Sequence, residues 1–201
     1  MDKLSYALGM SMGQNFKASG VDSINAEDFA QAVKAVYAGE KTEITFDEAK
    51  QIINEYFTNL EQKQREQNRI IGKKFLEENA KKEGVQVTAS GLQYRVLKRG
   101  DGLIKPVKDD QVTVHYEGKL VDGTVFDSSV QRGEPATFGV MQVIPGWVEG
   151  LQLMHEGDEF EFVIPSELAY GSHGTGPITP DSTLVFYVKL IKITRKSGIV
   201  L

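Results

Sequence analysis

The residues that could do chemistry here are mostly aromatic. Tyr116 ends the run VTVHY, Phe126 and Asp127 follow a turn at VDGT, and Trp147, the single tryptophan, stands just after Pro145-Gly146. Tyr170 precedes the glycine-rich GSHGTGP, and Phe186 lies in the apolar run STLVFYVKLIKI. Taken singly, each is a residue type that builds cores. Together, with one acid (Asp127) and Arg132 close by in sequence, they describe an aromatic-lined pocket with few polar handles. Such a pocket offers desolvation and orientation rather than a nucleophile. The familiar catalytic signatures fail: there is no phosphate loop, nucleophile elbow, dinucleotide glycine pattern or HExxH. His115, His155 and His173 are scattered without ligand spacing, His115 within a strand pattern, His155 at an expected helix end and His173 in the glycine-rich loop. Cysteine is absent, which excludes disulfides, thiol nucleophiles and zinc–thiolate sites. Neither metal nor cofactor is expected.

Two kinds of element must position these residues. The first 83 residues read as helix. Leu4, Leu8, Met12 and Phe16 recur every fourth residue in the first; Asn25 caps a second, with Phe29, Val33, Val36 and Tyr37 on one face and Gly39 as its stop. Thr45-Phe46-Asp47-Glu48 fits a capping box, and from there to Glu83 no proline intervenes, so a rod of about 57 Å is expected. Its middle, EQKQREQNR, is wholly polar, with no apolar face to bury in its own chain; it reads as a stalk between two bodies, or as a solvated helix surface. From Gly84 the pattern turns to β: QVTVHYEG, EFEFVIP and STLVFYVKLIKI alternate or run apolar, VDGT is a hairpin signal, and a short helix is expected from about Trp147 to Met154, ended by Gly157. Gly118, Gly123, Gly150 and Gly157 read as turn or packing residues.

The expected class is α+β: a helical module over residues 1–60, a connecting helix over 46–83 that overlaps its end, and an antiparallel sheet wrapped on a short helix over 86–201. A module this small, rich in Met and small residues, is expected to bury its faces by homodimerisation. The net charge of −5 divides as −2 over residues 1–85 and −3 over the rest, so no half is a basic platform and nucleic acid is not expected as a partner. No apolar run approaches the ~20 residues of a membrane span. The N-terminus lacks a basic segment followed by an apolar core, which favours the cytoplasm; an exported protein whose signal had been removed would look the same.

VHYEGKLVDGTVFDSS, VIPGWVEGLQLM, AYG and TLVFYVKL, in that order and spacing over about residues 90–195, resemble the FKBP-type peptidyl-prolyl cis/trans isomerases. DKLSYALGMSMGQNF, the second helix and the long polar helix resemble the N-terminal half of the dimeric macrophage infectivity potentiator type, whose members are V-shaped homodimers. The resemblance implies catalysis by Tyr116, Phe126, Asp127, Trp147 and Tyr170, and substrate binding by Arg132, Phe138, Val143, Ile144, Ile178 and Phe186. It places the indole on the pocket floor and makes the Ile144 N–H and the Tyr170 hydroxyl donors to the ligand. It also implies proline-containing polypeptides as substrates and rapamycin-type macrolides as inhibitors. Two departures from small single-domain members, Ala136 in place of a phenylalanine wall and a GSHGTGP loop shorter by about one residue, bear on affinity and sequence preference. Asp127 has two readings, an orienter of Tyr116 or Arg132 and a cap for the turn that follows. The competing function is a non-catalytic holdase gripping unfolded clients.

Overall fold

The computed structural model describes residues 1–195. Its contacts divide the chain into two compact units, Met1–Glu61 and Gln62–Leu201. The first holds α1 (Lys3–Ala18), α2 (Ala26–Ala38) and the start of α3 (Phe46–Asn79). Each begins where a side chain can satisfy orphan amides. The Asp2 carboxylate accepts from Ser5 N–H, and Asn25 Oδ1 accepts from Glu27 and Asp28 N–H. Thr45 and Glu48 close a reciprocal box at 2.7 and 3.2 Å. Gly39 ends α2 at φ 65°. Phe16 meets Phe29 edge-on at 5.7 Å, and the Tyr56 hydroxyl donates to Gly20 O at 3.3 Å. No residue of α1 or α2 is buried in the single chain.

Helix α3 has 34 residues, about 51 Å, and stops four residues short of the expected Glu83. Its end is held from outside the helix. Asn79 Nδ2 donates to Gln93 Oε1 at 2.9 Å, while Gln93 Nε2 donates to the Leu76 carbonyl, also at 2.9 Å. The polar middle keeps the solvated surface of one of its two readings, with Arg65 and Asn68 half-buried where one face docks. Residues 62–79 belong to the second unit, and Arg65, Asn68 and Arg69 hydrogen-bond or ion-pair with residues 179–182. A helix without an apolar face can still dock when its donors meet a matching set of acceptors.

The second unit is an antiparallel sheet of β1 (Val85–Val87), β2 (Gln93–Lys98), β3 (Gln111–Leu120), β4 (Val125–Ser128), β5 (Ala136–Gly139), β6 (Glu159–Ile164) and β7 (Leu184–Thr194). The strand order is β1-β2-β6-β7-β3-β4, with β5 also paired to β3. One edge of β3 thus serves two partners: residues 111–114 pair with β5, and 117–119 with β4. The β3–β4 turn is the one expected from VDGT, with Gly123 at φ 90°. On β3 the residues Val112, Val114, Tyr116 and Gly118 face the core, as do Leu184, Phe186, Val188 and Leu190 on β7.

Helix α5 spans Pro145–Leu151 rather than Trp147–Met154. Proline pre-sets φ at its first position, and the last turn tightens as Leu153 and Met154 N–H donate to Gly150 and Leu151. His155 consequently sits beyond the helix, in a turn closed by Asp158, which accepts from His155 N–H at 2.9 Å. Two glycines let α5 lie low over β6: a Cβ on Gly146 would come within 2.5 Å of Ile164, and one on Gly150 within 2.6 Å of Phe162.

Candidate functional site

Where β3 changes partners, Tyr116 is left without a strand neighbour on that side. Ser129, in the short helix α4 (Ser129–Arg132), fills the gap: its Oγ accepts from Tyr116 N–H at 2.8 Å and donates to Tyr116 O at 3.3 Å. His115 Nδ1 lies 3.1 Å from the same hydroxyl, a structural role. The cap of α4 is Ser128, whose Oγ accepts from Gln131 N–H at 3.1 Å. Asp127 is therefore free of capping duty. Its two carboxylate oxygens accept from the Tyr116 hydroxyl and from Arg132, and Arg132 Nη2 reaches the same hydroxyl at 3.0 Å.

This trio fixes protonation states. Burial opposes ionisation of Asp127, but hydrogen bonds from Tyr116 and Arg132 outweigh it and hold the carboxyl below its usual range. Burial, then the bond to Asp127, pushes the Tyr116 hydroxyl upward. Tyr170 is also raised, by burial first and by the Asp127 charge second.

Tyr116 and Asp127 of this trio form one rim of a cavity of about 410 Å³ lined by Tyr116, Phe126, Asp127, Phe138, Gln142, Val143, Ile144, Trp147, Tyr170 and Phe186. Trp147, 4% exposed, is wedged edge-to-face by Tyr116 (5.4 Å), Phe138 (6.0 Å) and Phe186 (5.3 Å). Its shielded Nε1 has no hydrogen-bond partner among the described residues, so ring packing alone holds it. Phe126 stands edge-on to Phe186 at 5.5 Å. Two donors at the wall are unused among the described residues: the N–H of Ile144, the cap of α5, and the hydroxyl of Tyr170.

Nine of the eleven residues expected at the site thus line this cavity. The other two do not. Arg132 stands behind the rim, on Asp127 and Tyr116. Ile178 is turned into the core, 4% exposed. Ala136 packs against the same core from β5. Sequence reasoning missed Gln142, which completes the wall and accepts from Gly139 N–H at 3.3 Å, and Ser129. Nothing local in the sequence marked Gln142; the second serine of FDSS was visible but had no partner until β3 was seen to switch strands. Gly118 proves a packing residue, because a Cβ there would fall 2.6 Å from Phe126 and 2.7 Å from Phe186. Gly118→Ala is expected to cost about 1–3 kcal/mol by spreading those rings, measured by denaturant unfolding; an unchanged midpoint would contradict the packing role.

Two family models match the chain. The FKBP-type peptidyl-prolyl cis-trans isomerase model covers residues 102–191, and the domain amino terminal to FKBP-type peptidyl-prolyl isomerase covers residues 1–96. A probable FKBP-type isomerase, FkpA of Neisseria meningitidis serogroup B, is 47% identical over 96% of this chain and 74% of its own. The FKBP-type 22 kDa isomerase of Escherichia coli K12 is 46% identical over 94% and 93%. Outer membrane protein MIP of Legionella longbeachae is 43% identical over 96% and 86%. The crystal structure of FkpA from Escherichia coli superposes with a TM-score of 0.78 at 34% identity, covering 96% of both chains. An aromatic cavity on an antiparallel sheet, two whole-length halves matched in order and relatives of this similarity have one reading: the chain belongs to the FKBP-type peptidyl-prolyl cis-trans isomerases and is an enzyme of that class.

Proposed function

We propose that the cavity around Trp147 is where the X–Pro bond rotates, and that it works by desolvation. Amide resonance sets a barrier of ~18–20 kcal/mol, and an uncatalysed X–Pro bond needs tens to hundreds of seconds. The planar amide separates more charge than the twisted one, so water stabilises the ground state more. Rings from Tyr116, Phe126, Phe138, Trp147 and Phe186 remove that water at little cost to the twisted form. The Ile144 N–H and Tyr170 hydroxyl would hold the flanking chain while the torsion stays free. The observation that carries this reading is the unpaired, shielded indole standing among three edge-on rings, which offers a proline ring an apolar seat.

In this scheme Asp127 orients; it does not transfer a proton. Its depressed carboxyl contributes stability that is present above the ordinary value of about 4 and lost as pH falls through the lower folded value. The raised Tyr116 hydroxyl contributes below the usual value of about 10 and loses that contribution as pH rises through its higher one. No histidine lines the cavity. kcat/KM is therefore expected to vary by less than about twofold between about pH 5 and 9. A bell-shaped profile centred near neutrality would mean that a proton moves in the reaction. An assay over a panel of X–Pro peptides, with and without a rapamycin-type macrolide, tests the site itself. The macrolide should compete and quench the single tryptophan; no quench at saturation counts against the indole as floor.

Residues 1–60 would serve as the homodimerisation module. The support is that α1 and α2 leave Leu4, Tyr6, Leu8, Met10 and Val36 at least half exposed in the single chain. The same faces could instead hold unfolded clients, the holdase reading. Sedimentation of the full chain separates the two: a monomer that suppresses aggregation of a denatured client favours the second. The cytoplasmic expectation finds no support among the relatives, and Outer membrane protein MIP favours the exported alternative. No helix among the described residues is long and apolar enough to cross a membrane.

A further inference from the structure

The loop that carries Tyr170 is closed by a short chain of backbone bonds and latched from outside. Gly171 N–H donates to Ser166 O at 2.9 Å, and Asp181 N–H donates to Gly171 O at 2.8 Å. Asp181 is buried, 7% exposed, and adopts φ 59°, a left-handed conformation that only a short polar side chain tolerates well outside glycine. What holds it there is α3. Arg65 Nε and Arg69 Nη2 reach Asp181 Oδ2 at 2.8 and 3.1 Å. Asn68, on the same helical face, donates to Pro180 O at 2.7 Å and to Thr179 Oγ1 at 2.8 Å. One turn on, Gly72 admits Thr183: a Cβ at Gly72 would stand 2.4 Å from Thr183 Oγ1. All these residues belong to the second unit.

We infer that Arg65 and Arg69 are positioning residues for the isomerase reaction, acting through Asp181 and the Gly171 bond to set where Tyr170 stands on the cavity wall. The inference rests on the proposal that this cavity is the active site. Tyr170 is the most exposed aromatic of the wall, 38% exposed and with no intrachain partner for its hydroxyl among the described residues. Its position is therefore set by backbone: Ala169 and Gly171 on either side both donate to Ser166 O, and Gly171 O in turn accepts from Asp181 N–H. A pair of cations on one buried carboxylate is a stronger tether than an exposed ion pair, because Asp181 is shielded and the guanidinium donors are directional.

The test uses the full chain. In the Arg65→Gln/Arg69→Gln pair, KM for a short X–Pro peptide is expected to rise about fivefold with kcat changed less than about twofold, the pattern of lost uniform binding. Arg65→Lys/Arg69→Lys, which keeps both charges, should hold KM within about twofold. In a Tyr170→Phe background the glutamine pair should add less than about twofold, because the latch acts through that hydroxyl. A folded glutamine pair with unchanged KM, or the full fivefold rise on top of Tyr170→Phe, overturns the inference. Should that pair fail to fold, Asp181→Asn keeps the left-handed residue and removes the ion pairs, and the same criteria apply. Trp147→Ala distinguishes the two levels: if it leaves turnover intact the cavity reading fails, whereas loss there with a silent latch variant sinks the latch alone.

Discussion

Trp147→Ala is expected to lower kcat/KM for a short X–Pro peptide by about 100-fold, about 2.7 kcal/mol of transition-state free energy. The indole touches three of the other five rings of the cavity and its Nε1 has no polar bond among the described residues, so its deletion opens the floor to water. Water then solvates the planar amide again and restores the barrier. The same truncation should destabilise the second unit by about 3–5 kcal/mol, as for other buried aromatics, so the variant must be checked by circular dichroism before its rate is read. Trp147→Phe separates the effects. It keeps an aromatic floor and removes an unpaired buried donor, so stability should change by less than about 1 kcal/mol while activity falls far less than in Trp147→Ala. A folded Trp147→Ala with normal turnover would remove this cavity from the reaction. In the full chain, sedimentation of Trp147→Ala should match the parent, because residue 147 lies far along the chain from residues 1–60 and in the other compact unit.

The second large effect concerns where the isomerase unit begins. A fragment of residues 62–201 is expected to fold alone, to sediment as a monomer and to keep full activity on short peptides. A fragment of residues 86–201 should fold less stably, with Tm lower by about 10 °C or more. The difference is chemical. Cutting at residue 86 removes Arg65, Asn68 and Arg69 from the 179–182 segment, so Asp181 becomes a buried carboxylate without its two cations. It also removes Asn79 and the Leu76 carbonyl, which satisfy the amide of Gln93, itself 4% exposed. Unpaired buried polar groups cost about 1–3 kcal/mol each, and more when charged. Equal melting of the two fragments would show that the helix merely passes alongside. Loss of peptide activity in the longer fragment would instead show that residues 1–61 take part in the site.

Six of the cavity residues, Tyr116, Phe126, Asp127, Trp147, Tyr170 and Phe186, were legible in the residues themselves, whereas Phe138, Val143 and Ile144 followed only from the family resemblance. β3 alternates cleanly, so Tyr116 could be assigned to the buried face; Pro145-Gly146 announced a turn into a helix; VDGT announced the hairpin that delivers Phe126 and Asp127. The capping signals at Asn25 and Thr45 held for the same reason, since each is satisfied within three residues. Ile178 lies outside the cavity lining and is buried; a loop residue has no periodicity to fix its direction, and its pairing with Thr175 is a tertiary matter. The stop of α3 at Asn79 was equally hidden: nothing between residues 79 and 83 breaks a helix, and the partner that holds its end, Gln93, is on another element.

By itself the sequence determined the class of elements, their order and the apolar face of each, because these follow from local propensity and from the 3.6- and 2-residue periods. It also determined that the site would be aromatic and lack a nucleophile. Only the tertiary structure decided which groups Asp127 bonds, that Arg65, Asn68 and Arg69 dock while the rest of EQKQREQNR stays exposed, and that Ser129 holds Tyr116 while Gln142 lines the cavity. The physical reason is common to all of them. A polar side chain carries several donors or acceptors with no preferred partner, and its partner is chosen by whichever distant group the packed backbone brings within about 3 Å. Apolar residues need only an inside, which a pattern can specify; polar ones need a particular neighbour, and that neighbour exists only once the chain has folded.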